Sequence, residues 1–439
     1  MSAVSPPIDP PTLSPDFTYR DGRLYIEEVA VEALATQYGT PLYAYSCTHL
    51  KRQYQALASA MQSVQPHIYF AIKSNSNLAV IQAMAALGAG ADVVSGGELF
   101  RARRAGVAAD KIVFAGVGKT EAEIDFALRE DIRFFTVESE GELERISARA
   151  QALGTTGRIA IRVNPDVDPQ THKYTSTGKA ENKFGVDLAR AEKAYALARR
   201  LPGVEVAGLH MHLGSPIMTP APYAESLEKV AALCTRLKQE IPTFRHLDIG
   251  GGLGIAYRPG QPPLEPRDFA AAVLPTLHAL DLHVGMEPGR FFTGNAGLLV
   301  TRVEYVKDNP FKQFVIVDAA MNDLLRPPLY EAHHEIVPVK RTAGRIFGDV
   351  VGPVCESGDF LAANRDLPAV APGDLLAVLS AGAYGFVMAS NYNTRGRPAE
   401  IMVRGTQVEC VRARETWDDL VRGERIPEWP DNGTIQAKE

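Results

Sequence analysis

From about Thr48 to Gly297 the chain repeats one pattern, a short apolar run followed by a helical stretch. Eight runs have strand character: residues 67–72, 91–94, 112–115, 133–137, 158–163, 204–213, 245–249 and 282–287. Helical spans separate them, among them 79–87, 121–129, 140–153, 188–201, 223–240 and 267–280. Strands alternating with helices of this size form βα units on a parallel sheet, because parallel neighbours need a long crossover between them. Eight units in about 240 residues have the count and length of a (β/α)8, TIM-like barrel. A doubly wound open sheet is the competing architecture.

The phase of the runs favours the barrel. Ile68, Phe70 and Ile72 fall on one face of their strand, and Tyr69, Ala71 and Lys73 on the other. Ile159, Ile161 and Val163 lie opposite Ala160 and Arg162, and Val284 and Met286 opposite Gly285 and Glu287. In Leu209-His210-Met211-His212-Leu213 both histidines share a face. One face is bulky and apolar, suited to surrounding helices. The other is small or polar and ends in reactive side chains, as at the C-terminal mouth of a barrel.

After Gly297 the alternation stops. Short strands at 298–306, 313–318, 335–339, 346–350, 374–379 and 399–404, broken by Gly and Pro, predict an all-β second domain. Strand-like runs at 23–26 and 42–45 would join it, for want of another sheet. The expected division is a disordered 1–15, an N-terminal segment 16–47, the barrel 48–297, the β domain 298–421 and a loosely held tail 422–439. A chain of 439 residues exceeds what one hydrophobic core supports, in keeping with two domains.

Composition narrows the class of partner. A net charge of −6 argues against nucleic acid or an anionic membrane surface as the main partner. No run of about 18 apolar residues occurs, so no membrane helix is expected. The proline-rich start lacks the apolar core of a signal peptide. Four scattered cysteines, Cys47, Cys234, Cys355 and Cys410, form neither a disulfide framework nor a zinc pair and suit a cytoplasmic protein.

Several strand ends carry chemistry. Lys73 closes the first predicted strand, where desolvation can lower an amine's pKa and make it a Schiff-base nucleophile. Gly250-Gly251-Gly252 follows the seventh strand and lets backbone N–H groups close on a phosphate, or simply makes a tight turn. Glu287-Pro288-Gly289-Arg290 ends the eighth strand; the carboxylate suits a cationic ring nitrogen and the guanidinium a phosphate or carboxylate. His210 and His212 could bind zinc with Asp92 or Asp248, or one could lie flat on a planar cofactor with Ser215 donating to phosphate; no metal is expected. In the second domain, Cys355-Glu356, Arg326 with Tyr330, and Tyr384 between two glycines stand out.

Together, from about Asp16 to Arg414, these motifs resemble the fold-type III, alanine-racemase-like pyridoxal-phosphate decarboxylases, and within them the diaminopimelate decarboxylase family. The segments carrying the resemblance are the lysine strand, His-Met-His-Leu-Gly-Ser, the triple glycine, Glu-Pro-Gly-Arg, Arg-Pro-Pro-Leu-Tyr, Cys-Glu-Ser-Gly-Asp and Gly-Ala-Tyr-Gly, in that order. The resemblance implies that pyridoxal 5'-phosphate is held by Lys73, stacked by His212, and gripped at its phosphate by Ser215 and Gly250 to Gly252. It implies that Glu287 pairs with the pyridine nitrogen, with Pro288 and Gly289 beside it, and that Arg290, Arg326 and Tyr330 hold a substrate carboxylate. Glu356 would read a distal ammonium, Cys355 would donate a proton, and Tyr384 would touch cofactor and substrate. The implied substrate is a small amino acid, meso-2,6-diaminopimelate, converted to L-lysine and CO2, with ornithine, lysine or carboxynorspermidine as the alternatives. The Cys355 loop would come from a partner subunit, which implies a homodimer with shared sites. Pro216-Ile217, where the family more often has Gln, and Ser74, where it commonly has Ala, are the departures.

Overall fold

The computed structural model describes residues 14–168 and 183–428. Most of the expected disordered N-terminus and residues 429–439 of the expected tail lie outside the described residues.

All eight expected barrel strands form: β1 (His67–Ala71), β2 (Gly90–Val93), β3 (Ile112–Phe114), β4 (Phe134–Val137), β5 (Gly157–Asn164), β6 (Val204–His210), β7 (His246–Asp248) and β8 (His283–Met286). Each pairs in parallel with the next, and β8 closes on β1 through Gly285 opposite His67 and Met286 opposite Ile68. The open-sheet alternative is thereby excluded. Polar caps start the helices where the strands end: Asn77, Ser95, Thr120, Ser139 and Asp187 each accept a backbone N–H in the first helical turn. Thr120 and Glu123 complete a reciprocal capping box.

The predicted phase is realised. Ile68, Phe70, Ile72, Ile159, Ile161, Val163, Val284 and Met286 pack outward in the large core with the helices. Tyr69, Val113, Phe134, Ala160 and Ala207 form a separate buried cluster inside the barrel. That interior plug closes the barrel's floor and leaves its C-terminal mouth for polar groups.

Nine of the remaining strands form a mixed sheet, antiparallel except where Gln313–Val317 runs parallel to Arg345–Val351 and Leu42–Ser46 to Ala399–Arg404. Leu42–Ser46 enters it between Gly297–Asp308 and, in parallel, Ala399–Arg404. The expectation for the N-terminal runs is thus met for one of the two. Arg23–Ile26 instead pairs with Phe17–Arg20 and Val29–Ala30 in a small three-stranded sheet. Its Phe17, Leu24 and Ile26 still share a core with Leu42, Val337 and Ile401 of the larger sheet. Two strands that the sequence pattern did not suggest, Phe360–Pro368 and Gln407–Arg412, lie at the two ends of the sheet's main path.

Buried hydrogen bonds fasten this sheet to the barrel mouth. Glu400 accepts from Tyr45 at 2.7 Å and from the Asn77 amide at 2.9 Å. Asn75 donates to Gly382 O at 3.0 Å, and the Tyr384 N–H donates to Ser74 O at 2.8 Å. Tyr384 adopts φ of 55°, an uncommon conformation for a non-glycine residue that such over-determined contacts sustain. The sheet therefore delivers Tyr384 directly beside the end of β1.

Candidate active site

Lys73 sits two residues past β1, in the single turn Ile72–Ser74, rather than on the strand itself. Its ammonium donates to Asp92 Oδ2 at 2.7 Å, at the end of β2. Burial opposes the Lys73 charge, but Asp92, Glu287 and Tyr384 outweigh it and hold the pKa above the ordinary lysine range. This corrects the expectation of a lowered amine pKa: the acidic groups around the mouth dominate desolvation. Burial and Glu287 in turn push the Asp92 carboxyl upward.

Glu287 follows β8 directly, and its N–H donates to Gly250 O at 2.8 Å. Burial would raise its pKa, yet His210, bonded through Nε2 at 3.0 Å, together with Lys73 and His212, brings it down to about 2. Its other oxygen, Oε1, is buried without a hydrogen-bond partner among the described residues. An ionised, half-satisfied buried carboxylate at a barrel mouth is costly unless a ligand supplies the missing donor.

The two histidines part company. His210 turns to Glu287 and lies close to Asp248, a group of buried side chains with metal-like spacing that does not include His212. His212 accepts at Nδ1 from the Gly251 N–H at 3.1 Å, which leaves its proton on Nε2. Burial, with Arg162 and Lys73 nearby, keeps its pKa well below the usual value, so the ring is neutral. A neutral planar ring suits stacking against a flat cofactor.

The triple glycine is dictated by packing as well as by ligand access. A Cβ on Gly250 would meet Met211 O at 2.4 Å, one on Gly251 would meet Glu287 O at 2.1 Å, and one on Gly252 would meet Gly214 O at 2.1 Å. Gly250 and Gly252 also carry φ of 71° and 98°. Turn and cradle are therefore the same feature. Gly289 is equally constrained, since a Cβ there would meet Ser74 Oγ at 2.8 Å.

A cavity of about 380 Å³ opens above these groups, lined by His212, Ser215, Tyr257, Arg290, Arg326, Tyr330 and Tyr384 among others. Arg290 donates to Ser215 Oγ at 3.0 Å and to the Tyr257 hydroxyl at 2.6 Å, and its guanidinium lies 4.8 Å from the Tyr384 ring centroid. The Arg326 guanidinium lies 5.0 Å from the Tyr257 ring centroid, and its Nε is buried without a partner. Both arginines are 7% exposed, and among the described residues neither has a carboxylate partner. Two buried guanidiniums without an anion constitute an anion site.

Thus Lys73, His212, Ser215, Gly250 to Gly252, Glu287, Pro288, Gly289, Arg290, Arg326, Tyr330 and Tyr384 gather around one mouth. Cys355 and Glu356 do not: both are exposed and neither lines the cavity. Cys355 N–H donates to Asn393 Oδ1 at 2.8 Å, and Glu356 accepts from the Tyr392 hydroxyl at 2.8 Å. Two participants went unassigned in the sequence reading. Asp92 figured there only as a possible metal ligand, and Tyr257 not at all, although an aromatic five residues beyond Gly252 in the same loop was its available signal.

These features fit pyridoxal phosphate: an amine, an unpaired acidic oxygen for a ring nitrogen, a glycine cradle for a phosphate and a neutral imidazole. The comparisons agree. The pyridoxal-dependent decarboxylase family, through its pyridoxal-binding domain, matches residues 47–294. A diaminopimelate decarboxylase from Pseudomonas aeruginosa is 50% identical over 411 residues, covering 93% of this chain and 99% of that one. One from Aquifex aeolicus is 47% identical over 409 residues, covering 93% and 97%. The crystal structure of diaminopimelate decarboxylase from M. jannaschii in complex with L-lysine superimposes with a TM-score of 0.90 at 37% identity, over 95% of this chain and 99% of that one. With that extent and identity, the chain belongs to the diaminopimelate decarboxylase family of pyridoxal-dependent decarboxylases.

Proposed function

We propose that this protein removes one carboxyl group of meso-2,6-diaminopimelate, as CO2, to leave L-lysine. The observation that carries the reading is the pair of buried guanidiniums without a carboxylate partner, Arg290 and Arg326, in a cavity whose walls include Tyr384, which interacts with Lys73, and His212, which interacts with Glu287. When bound, pyridoxal phosphate supplies the electron sink that stabilises the negative charge left as CO2 departs. Lys73 would hold the cofactor covalently, with Asp92 keeping the amine in place whenever it is free of that bond. Gly250 to Gly252 and Ser215 would receive the phosphate, with Arg290 and Tyr384 close to Ser215. Glu287, ionised well below neutral pH, would hold a proton on the ring nitrogen through its unpartnered Oε1, while His210 secures its other oxygen. His212, a buried neutral ring, would offer its face to the cofactor. Arg290, Arg326 and Tyr330 fix a substrate carboxylate, which orients the bond to be broken.

Cys355 and Glu356 complete the site from a second copy of the chain, Cys355 giving a proton to the substrate carbon and Glu356 reading the distal ammonium. Their exposure away from the chain's own cavity supports this arrangement. The working assembly is a homodimer in the cytoplasm; among the described residues no helix is long and apolar enough to cross a membrane.

Decarboxylation of another basic amino acid is the second reading, favoured by a TM-score of 0.75 at 25% identity to a lysine/ornithine decarboxylase from Vibrio vulnificus, over 85% of this chain and 97% of that one. CO2 release from meso-diaminopimelate, L-lysine, L-ornithine and carboxynorspermidine decides between them. We expect turnover on meso-diaminopimelate at least about a hundredfold above the others, since substrates lacking the second carboxylate leave a buried cation unpaired. Faster release from ornithine would reverse the assignment.

A further inference from the structure

The cationic wall of the cavity contains one buried group that the mechanism above leaves without a task, Tyr257. It lies on the loop that follows the glycine cradle, is 8% exposed, and accepts from Arg290 Nη1 at 2.6 Å. The same ring sits 5.9 Å from the Arg290 guanidinium carbon and 5.0 Å from that of Arg326. It is therefore in contact with both cations of the anion site.

The ring is itself clamped. The Tyr257 N–H donates to Gln261 Oε1 at 3.0 Å. The His334 ring packs edge-on at 5.5 Å and 81°, and His334 is tied through Nδ1 to Leu379 O at 2.9 Å. Burial raises the phenol pKa, yet Arg290 and Arg326 together bring it below the ordinary tyrosine value, so the hydroxyl is strongly polarised. Burial first, and then the like charge of Arg290, bring Arg326 below the ordinary arginine value, although Tyr257 opposes them. Two mutually repelling guanidiniums need a fixed electronegative spacer to keep their forks converging on one point.

Resting on the decarboxylase reading, we propose that Tyr257 is a positioning residue, whose hydroxyl and ring fix Arg290 against Arg326 and thereby set affinity for the substrate's carboxylate. Removing the oxygen leaves Arg290 Nη1 without its intramolecular acceptor, and the fork is then free to swing away from Arg326.

The test uses the pyridoxal-phosphate-loaded enzyme and two ligands that differ by one carboxylate, L-lysine and cadaverine, with binding measured by calorimetry. In Tyr257→Phe, L-lysine should bind about tenfold more weakly while cadaverine is unchanged. KM for meso-diaminopimelate should rise by a similar factor with kcat within about twofold, the mark of lost uniform binding. Tyr257→His, which retains a ring acceptor, should recover most of the L-lysine affinity. Equal weakening of both ligands, no weakening of either, or a His variant as impaired as the Phe variant would each overturn the proposal. Wild-type turnover on meso-diaminopimelate is measured first: its absence defeats the functional reading, whereas turnover with an unaltered Tyr257→Phe KM defeats only the role of Tyr257.

Discussion

The two ends of the barrel are built from similar residues to opposite effect. At the N-terminal end His67, His246 and His283 begin β1, β7 and β8, with ring centroids 5.2 to 6.3 Å apart. His246 leans on Phe134 at 5.8 Å, and Phe134 meets Tyr69 edge-on at 6.4 Å, so this end is an aromatic plug. Burial and Arg133 bring His67 and His246 down to about 4, and both are neutral. At the C-terminal end the strands finish in Lys73, Asp92, His210, Asp248 and Glu287, and several of their buried atoms, including Asp92 Oδ1, His210 Nδ1, Asp248 Oδ2 and Glu287 Oε1, have no partner among the described residues. Unmade hydrogen bonds of this kind destabilise a fold. One end is arranged for packing, and the other forgoes stability so that a ligand can complete it.

Substitutions at the two ends should therefore fail in different ways. Lys73→Ala should lower turnover on meso-diaminopimelate by about four orders of magnitude, while the thermal midpoint falls only modestly, because burial already pushes the Asp92 carboxyl that loses its partner towards the protonated form. A variant that keeps wild-type turnover would erase the distinction. Phe134→Ala should do the reverse, costing about 3–5 kcal/mol in denaturant unfolding with kcat per folded molecule nearly unchanged. A loss below about 1 kcal/mol would show that the plug is not what closes the barrel. Cys355→Ala, in an exposed loop that does not line the chain's own cavity, should slow product formation about a hundredfold without affecting stability, and mixing it with Lys73→Ala protein should restore part of the activity through hybrid dimers. No restoration on mixing would argue that each chain works alone.

The smallest effect concerns pH. His67 and His246 titrate near 6.5 when unfolded and near 4 when folded, so the unfolded chain binds more protons between those values. Their contribution to stability is complete above about pH 6.5 and is lost as pH falls towards 4, by of order 1 kcal/mol once solvent screening is allowed for. His246→Phe should flatten that slope in thermal unfolding at pH 7 and pH 5; an unchanged slope would move the acid sensitivity elsewhere.

What could be read from the sequence was whatever has a short period or a local cause. The barrel strands have apolar faces that alternate with period two, so their number and the inward face of Tyr69 follow directly, whereas Lys73 lies in the turn just beyond its strand. The two strands of the nine-stranded sheet that the pattern did not suggest are its edges: Phe360–Pro368 runs Ala-Ala-Asn-Arg-Asp through its middle, the polar composition that protects an exposed strand and removes the alternation. The direction of the Lys73 shift was missed for another reason. A lysine flanked by apolar neighbours in sequence gives no sign that Asp92 and Glu287, 19 and 214 residues away, converge on it. Tyr257 shows the same limitation, since its meaning lies in two arginines that only the closed barrel and the second sheet bring together.

The central claim is that Lys73, and no other amine, anchors pyridoxal phosphate at the mouth. Borohydride reduction of the cofactor-loaded protein, followed by peptide mapping, tests it directly. The account predicts one phosphopyridoxyl mass per chain, on the peptide containing Lys73. A label on Lys119, the buried lysine bonded to Glu142 at 2.6 Å, or a chain that takes up no cofactor, would contradict it.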